Sequence, residues 1–68
     1  MWDDIILEKY RSRQKICIST DFDDDWFLYV KWVENKNGLV SHSSMIIRKD
    51  LPGWITYLES MGWKQKGA

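Results

Sequence analysis

Sixty-eight residues make one domain, near the lower size at which a single core holds without disulfides or metals. With 29% charged and 44% hydrophobic residues the chain is globular rather than disordered, and ten basic against ten acidic residues exclude the strongly basic balance of a non-specific nucleic-acid binder. The lone Cys17 excludes an internal disulfide, one histidine leaves no Cys/His pattern for zinc, and the longest apolar run, residues 26 to 30, is too short to cross a bilayer.

The chain opens Met1-Trp2-Asp3-Asp4, acidic where a secretory leader is basic, so a cytoplasmic protein is expected. Residues 2–13 fit two elements. Trp2, Ile5, Ile6 and Tyr10 form a helical stripe, with Asp3 and Asp4 early and Lys9, Arg11 and Arg13 late, as a helix dipole prefers. The same residues alternate as a strand would. With no Gly, Pro or Asn to mark a hairpin turn between residues 10 and 15, the helix is the favoured reading.

Lys15 to Phe22 reads as a strand with Ile16, Ile18 and Phe22 inward. Trp26 to Glu34 is a clearer strand, with Trp26, Leu28, Val30 and Trp32 on one face and Phe27, Tyr29, Lys31 and Val33 on the other. Asn37-Gly38 is a strong hairpin signal, and Leu39 to Arg48 follows as the next strand. Leu51, Trp54, Ile55, Leu58 and Met61 then recur at helical spacing, with Asp50 placed to cap the start and Gly62 to end the helix. Residues 64–68 read as a frayed tail. The expected fold class is therefore α+β: one compact domain over residues 1–68, with a three-stranded antiparallel meander, a C-terminal helix, and an N-terminal helix or, less favoured, a fourth strand.

Three groups of residues invite a chemical reading. Asp21, Asp23, Asp24 and Asp25 begin like a calcium loop, but Trp26 stands where that loop needs Gly and Trp32 where it needs Glu. They are expected to form a wet turn that can meet a basic partner, with no metal and no cofactor. His42 among serines, and Cys17 between two isoleucines, lack the orienting acid and oxyanion donors that nucleophilic catalysis requires, so an enzyme is not expected. The second sheet face is the third group. Phe27, Tyr29 and Lys31 would lie beside Lys15, Cys17 and Ser19 on one flank and His42, Ser44 and Arg48 on the other.

In outline, a helix–three strands–helix order resembles a double-stranded-RNA-binding domain, whose last helix opens on a lysine cluster where this chain reads Asp50-Leu51-Pro52-Gly53-Trp54. With a strand at the start, "KICISTDFDDDWFLYVKWVE" and "IIRKDLPGWITYLESM" look like the single-stranded-DNA binders built of strands followed by one helix. Neither stretch carries a diagnostic motif, and no membership is assigned.

Five Trp, three Tyr and two Phe are a large aromatic load for so small a core, so either some rings sit at an interface or Trp enlarges an undersized core. The favoured expectation is a small non-enzymatic regulator or inhibitor that binds another protein, with a second copy of itself among the candidate partners. Its contact residues would be Phe27, Tyr29, Lys31, His42, Asp23, Asp24 and Asp25. The alternative is single-stranded DNA or RNA held by Arg11, Arg13, Lys15, Phe27, Tyr29, Lys31 and Arg48. No membrane role is expected.

Overall fold

The computed structural model describes residues 5–19 and 25–66. Five strands run in chain order: β1 Ile5–Lys9, β2 Gln14–Ser19, β3 Phe27–Glu34, β4 Val40–Ile47 and, after the helix, β5 Trp63–Gln65. A 3-10 turn over Arg48–Asp50 leads into α1, Leu51–Ser60, the one α-helix among the described residues. The spatial order is β4-β3-β2-β1-β5, and every pairing is antiparallel. No helix among the described residues is long and apolar enough to cross a membrane.

This architecture overturns the expected three-stranded meander with an N-terminal helix. Residues 5–9 form a strand because their alternation matches β2: Ile5 lies opposite Ile18, Ile6 opposite Cys17 and Leu7 opposite Ile16. Leu7 is fully buried on the helix side of the sheet while Glu8 next to it is exposed. The hairpin turn forms without its usual residues. Arg11 takes the left-handed conformation, φ 67°, that Gly or Asn would ordinarily supply. The Ser12 N–H donates to the Lys9 carbonyl at 3.0 Å, and the Ser12 hydroxyl accepts the Gln14 N–H at 3.1 Å. Side-chain and backbone bonds thus hold a turn that composition did not advertise.

The second correction concerns the supposed tail of residues 64–68. Gly62, at φ 101°, reverses the chain after α1, and Trp63–Gln65 then pairs with β1 as the outermost strand. The Lys66 N–H extends the contact to the Ile6 carbonyl at 2.7 Å. The Lys9 stem lies close against Gly62 and its ammonium lies 5.9 Å from the Trp63 ring centroid, so one β1 side chain meets both residues of the reversal. Three residues are too few for any periodicity to show.

The helix joins one edge of the sheet to the other and covers a single face. Its Leu58 is buried among Leu7, Ile16, Ile18, Leu28 and Val30, with Ile5, Trp32, Ile46, Leu51, Trp54 and Trp63 packed around them. Trp54 meets Trp32 edge-on at 6.4 Å, an arrangement that aromatic quadrupoles favour. Asp50 does not cap α1 through its side chain. It sits in helical conformation as the last residue of the 3-10 turn, which leads the chain into the helix. At the other end the Gly62 N–H donates to the Glu59 carbonyl at 3.1 Å.

Among the described residues, five fully buried aliphatic side chains make most of this core. A core of this size supplies a net stability of only about 3–5 kcal/mol. Leu28→Ala is therefore expected to cost about 2–5 kcal/mol and to leave the chain largely unfolded in water. Arg11→Gly should act oppositely. It removes a left-handed strain of about 1–2 kcal/mol at a loss of about 0.5–1 kcal/mol in unfolded-chain entropy, so the urea midpoint should rise.

Candidate functional site

Among the described residues no element packs over the second face of the sheet, and that face is the candidate site. The register builds it in rows. Phe27 stands beside Ile47; Tyr29 lies between Ser19 and Met45; Lys31 lies between Cys17 and Ser43, with Ile6 beyond Cys17; Val33 lies between Lys15 and Val40. Glu8 and Lys64 complete the face on β1 and β5. Phe27, Met45 and Ile47 are 40%, 46% and 41% exposed, so one end of the face carries a contiguous apolar patch. Lys15, Lys31 and Lys64 lie lower on the same face, with Glu8 as its acid.

The face is not uniformly open. Cys17 and Val33 are buried, and Tyr29 and Lys31 are half-buried. Trp26, just before β3, is 72% exposed, and its carbonyl accepts the Arg48 N–H at 2.7 Å. With Asp25, Ile47 and Lys49 these two residues line a shallow open groove of about 260 Å³ at the end of the patch.

Phe27, Tyr29, Lys31 and Lys15 do share this face. His42 does not: it pairs with Trp32 on the helix side, the two rings 4.9 Å apart. Ser44 likewise pairs with Val30, and Arg48 lies beyond the strand in the 3-10 turn. The cause is a β-bulge. Val33 pairs with Val40, but Trp32 pairs with His42, leaving Ser41 as an extra residue. Without it His42 would stand beside Lys31 and Ser44 beside Tyr29. One inserted residue moves every later side chain of β4 to the other face, so Ser43, Met45 and Ile47 flank β3 instead.

Polar side chains fix the bulge. The Ser41 hydroxyl donates to the Trp32 carbonyl at 3.2 Å and accepts a bond from Gln14 Nε2, which also donates to Glu34 Oε2 at 2.7 Å. Ser12, Arg13, Glu34, Asn35, Lys36 and Asn37 line an open crevice at this end of the sheet, where the Asn35 N–H donates to the Arg13 carbonyl at 2.9 Å.

The remaining expected residues scatter. Arg11 and Arg13 belong to the β1–β2 turn near the Glu34 end of β3, and the Arg11 guanidinium lies 5.4 Å from the Tyr10 ring. Arg48 sits at the opposite, Trp26 end. Asp25 is exposed, while Asp21, Phe22, Asp23 and Asp24 lie outside the described residues. Sequence reasoning missed Met45, Ile47 and Val40 as surface residues. Their signal was present in the apolar ends of β4, but for Met45 and Ile47 its parity depends on the bulge.

The face thus carries exposed Phe27, Met45 and Ile47 at one end, with Lys15, Lys31 and Lys64 away from that end. No protein-family model, curated protein or solved structure matches the chain.

Because Cys17 is only 3% exposed, its thiol should be shielded in the folded protein. Reaction with a water-soluble disulfide reagent should run more than about tenfold slower in the native state than in denaturant. Equal rates would mean that the middle of this face is open.

Proposed function

We propose that this chain is a small non-enzymatic regulatory or inhibitory protein that acts by binding another protein through the open sheet face. The observation that supports this reading is the contiguous exposure of Phe27, Met45 and Ile47 beside a core with five fully buried aliphatic side chains among the described residues. A small domain that leaves three large apolar side chains together in water gives up burial its stability would use, and such patches characteristically mark interfaces. Lys15, Lys31 and Lys64 on the same face match a partner whose apolar contact is bordered by carboxylates.

A second reading rests on a specific observation as well. Phe27 and Tyr29 share their face with Lys15 and Lys31, the combination on which single-stranded nucleic acid stacks. Arg11 and Arg13 at one end and Arg48 at the other extend no single cationic track between them, and the net charge is zero. Protein is therefore the preferred target.

Phe27→Ala is the discriminating change, since Phe27 lies on β3 and is 40% exposed. It should cost no more than about 1–2 kcal/mol in urea unfolding while abolishing cross-linking to the partner protein. A larger loss of stability with binding intact would assign this ring to the core. Intrinsic tryptophan fluorescence should stay unchanged when short single-stranded oligonucleotides are added at low salt. Quenching that weakens with salt would instead select the nucleic-acid reading.

A further inference from the structure

The two edges of this sheet are built differently. β5 is three residues long, carries Lys64, and is followed by Lys66. Short length and lysine are the usual means by which an edge strand is kept from pairing with another chain. β4, the opposite edge, is eight residues long, Val40–Ile47, and holds no charged residue and no proline. Seven of its eight side chains are exposed. Among the described residues its outer edge has no strand beside it.

The hydrogen-bond phase of this edge follows from one contact. Trp26 and Arg48 are opposed in the same register as Phe27 and Ile47, and the Arg48 N–H donates to the Trp26 carbonyl. Antiparallel ladders alternate between bonded and non-bonded pairs. Leu28–Ile46 and Val30–Ser44 are therefore the bonded pairs, while Phe27–Ile47, Tyr29–Met45 and Lys31–Ser43 are not. It follows that Ser43, Met45 and Ile47 direct their N–H and C=O groups outward, away from β3.

We propose that β4 is a self-association edge, and that two copies of this chain pair β4 against β4 antiparallel about a two-fold axis at Met45. Three observations select a second copy as the occupant. The regular part of the strand runs from the bulge at Ser41 to the 3-10 turn at Arg48, and its outward-bonding residues are centred on Met45. A two-fold there sets Ser43 against Ile47 of the second copy and Ser44 against Ile46, a small residue against a large one on each face. The strand brings no like charges together on itself, as a lysine-bearing edge would. Three bonded pairs then give about six N–H···O bonds and one continuous sheet. The contact is small, so the dimer is a concentration-dependent one. It concerns the edge and holds whatever protein the open face binds.

The test is the solution mass of the full chain by sedimentation equilibrium, with backbone amide exchange as a second readout. The wild-type mass should rise from monomer to dimer as concentration passes through the micromolar range. The Ser43, Met45 and Ile47 amides should exchange more slowly at the high end of that range than at the low end. Ser43→Pro removes one outward donor without removing a bond to β3, and Met45→Lys places two ammonium groups at the axis. Both variants should remain monomeric at every concentration, with an unchanged far-ultraviolet dichroism spectrum.

Phe27→Ala should leave the dimer intact, which separates this edge from the binding face. Partner cross-linking that survives in Phe27→Ala, with the dimer retained, would count against the face alone and support the edge. A wild type that stays monomeric to ~1 mM overturns the proposal. So does a dimer that persists in folded Ser43→Pro or Met45→Lys, or edge amides whose exchange is independent of concentration. Protection of those amides only on adding a foreign protein would also overturn it, by identifying a heterologous strand as the occupant.

Discussion

One helix has to cover a five-stranded sheet, and most of the molecule follows from that limit. Four inter-strand spacings of about 4.8 Å make a sheet roughly 19 Å wide, and a ten-residue helix is about 15 Å long. Running from the β4 edge to the β5 edge, it can shelter one face and no more. Leu7, Ile16, Ile18, Leu28 and Val30 disappear beneath it, and their parity decides which residues of each strand face the other way. The composition of the open face is thus the remainder of the core pattern. That remainder could have been wholly polar, as on many one-sided antiparallel sheets. Here it includes Phe27, Met45 and Ile47.

The β-bulge at Ser41 decides how that remainder is distributed. It leaves β1, β2 and β3 untouched and exchanges the two faces of β4 beyond it. On the helix side this places His42 against Trp32, which in turn meets Trp54, so a row of rings runs from the β4 edge to the helix. On the open side it brings Met45 beside Tyr29 and Ile47 beside Phe27. A polar group of Gln14, Glu34 and Ser41 secures the offset. The apolar patch therefore depends on polar bonds at the far end of the sheet, through register and without contact between them.

What was legible in the sequence was whatever carried strong periodicity. The alternation of Leu28, Val30 and Trp32 marked the inward face of β3, and the spacing of Leu51, Trp54 and Leu58 marked the helix that covers it. β1 was misread because five residues fit either period, and its turn uses Arg11 in a conformation that no residue type announces. β5 was missed because three residues have no period and because its pairing is set by the Gly62 reversal and the Lys9 contact, both tertiary effects. Lys15, Phe27, Tyr29 and Lys31 were placed on one face from alternation alone. His42 and Ser44 were misplaced because Ser41-His42-Ser43-Ser44 offers no hydrophobic contrast from which a bulge could be detected.

Bulge, edge and face are finally linked, because beyond the bulge the same β4 residues lie on the open face and at the outer edge. Ser43, Met45 and Ile47 turn their side chains to the open face and their backbone groups to the outer edge. A strand added at that edge would continue the sheet, so its own open face would lie beside this one rather than over it. Under a two-fold, two apolar patches would adjoin across the axis and form one surface twice as large. Pairing at the edge and binding on the face would then reinforce each other, since a partner spanning both copies gains contact area that neither copy offers alone. The alternative fate of an uncharged eight-residue edge is uncontrolled pairing, which the bulge limits by leaving residues 42–47 as its regular part. In this chain the irregularity that sets the composition of the open face also restricts how far the edge can zip.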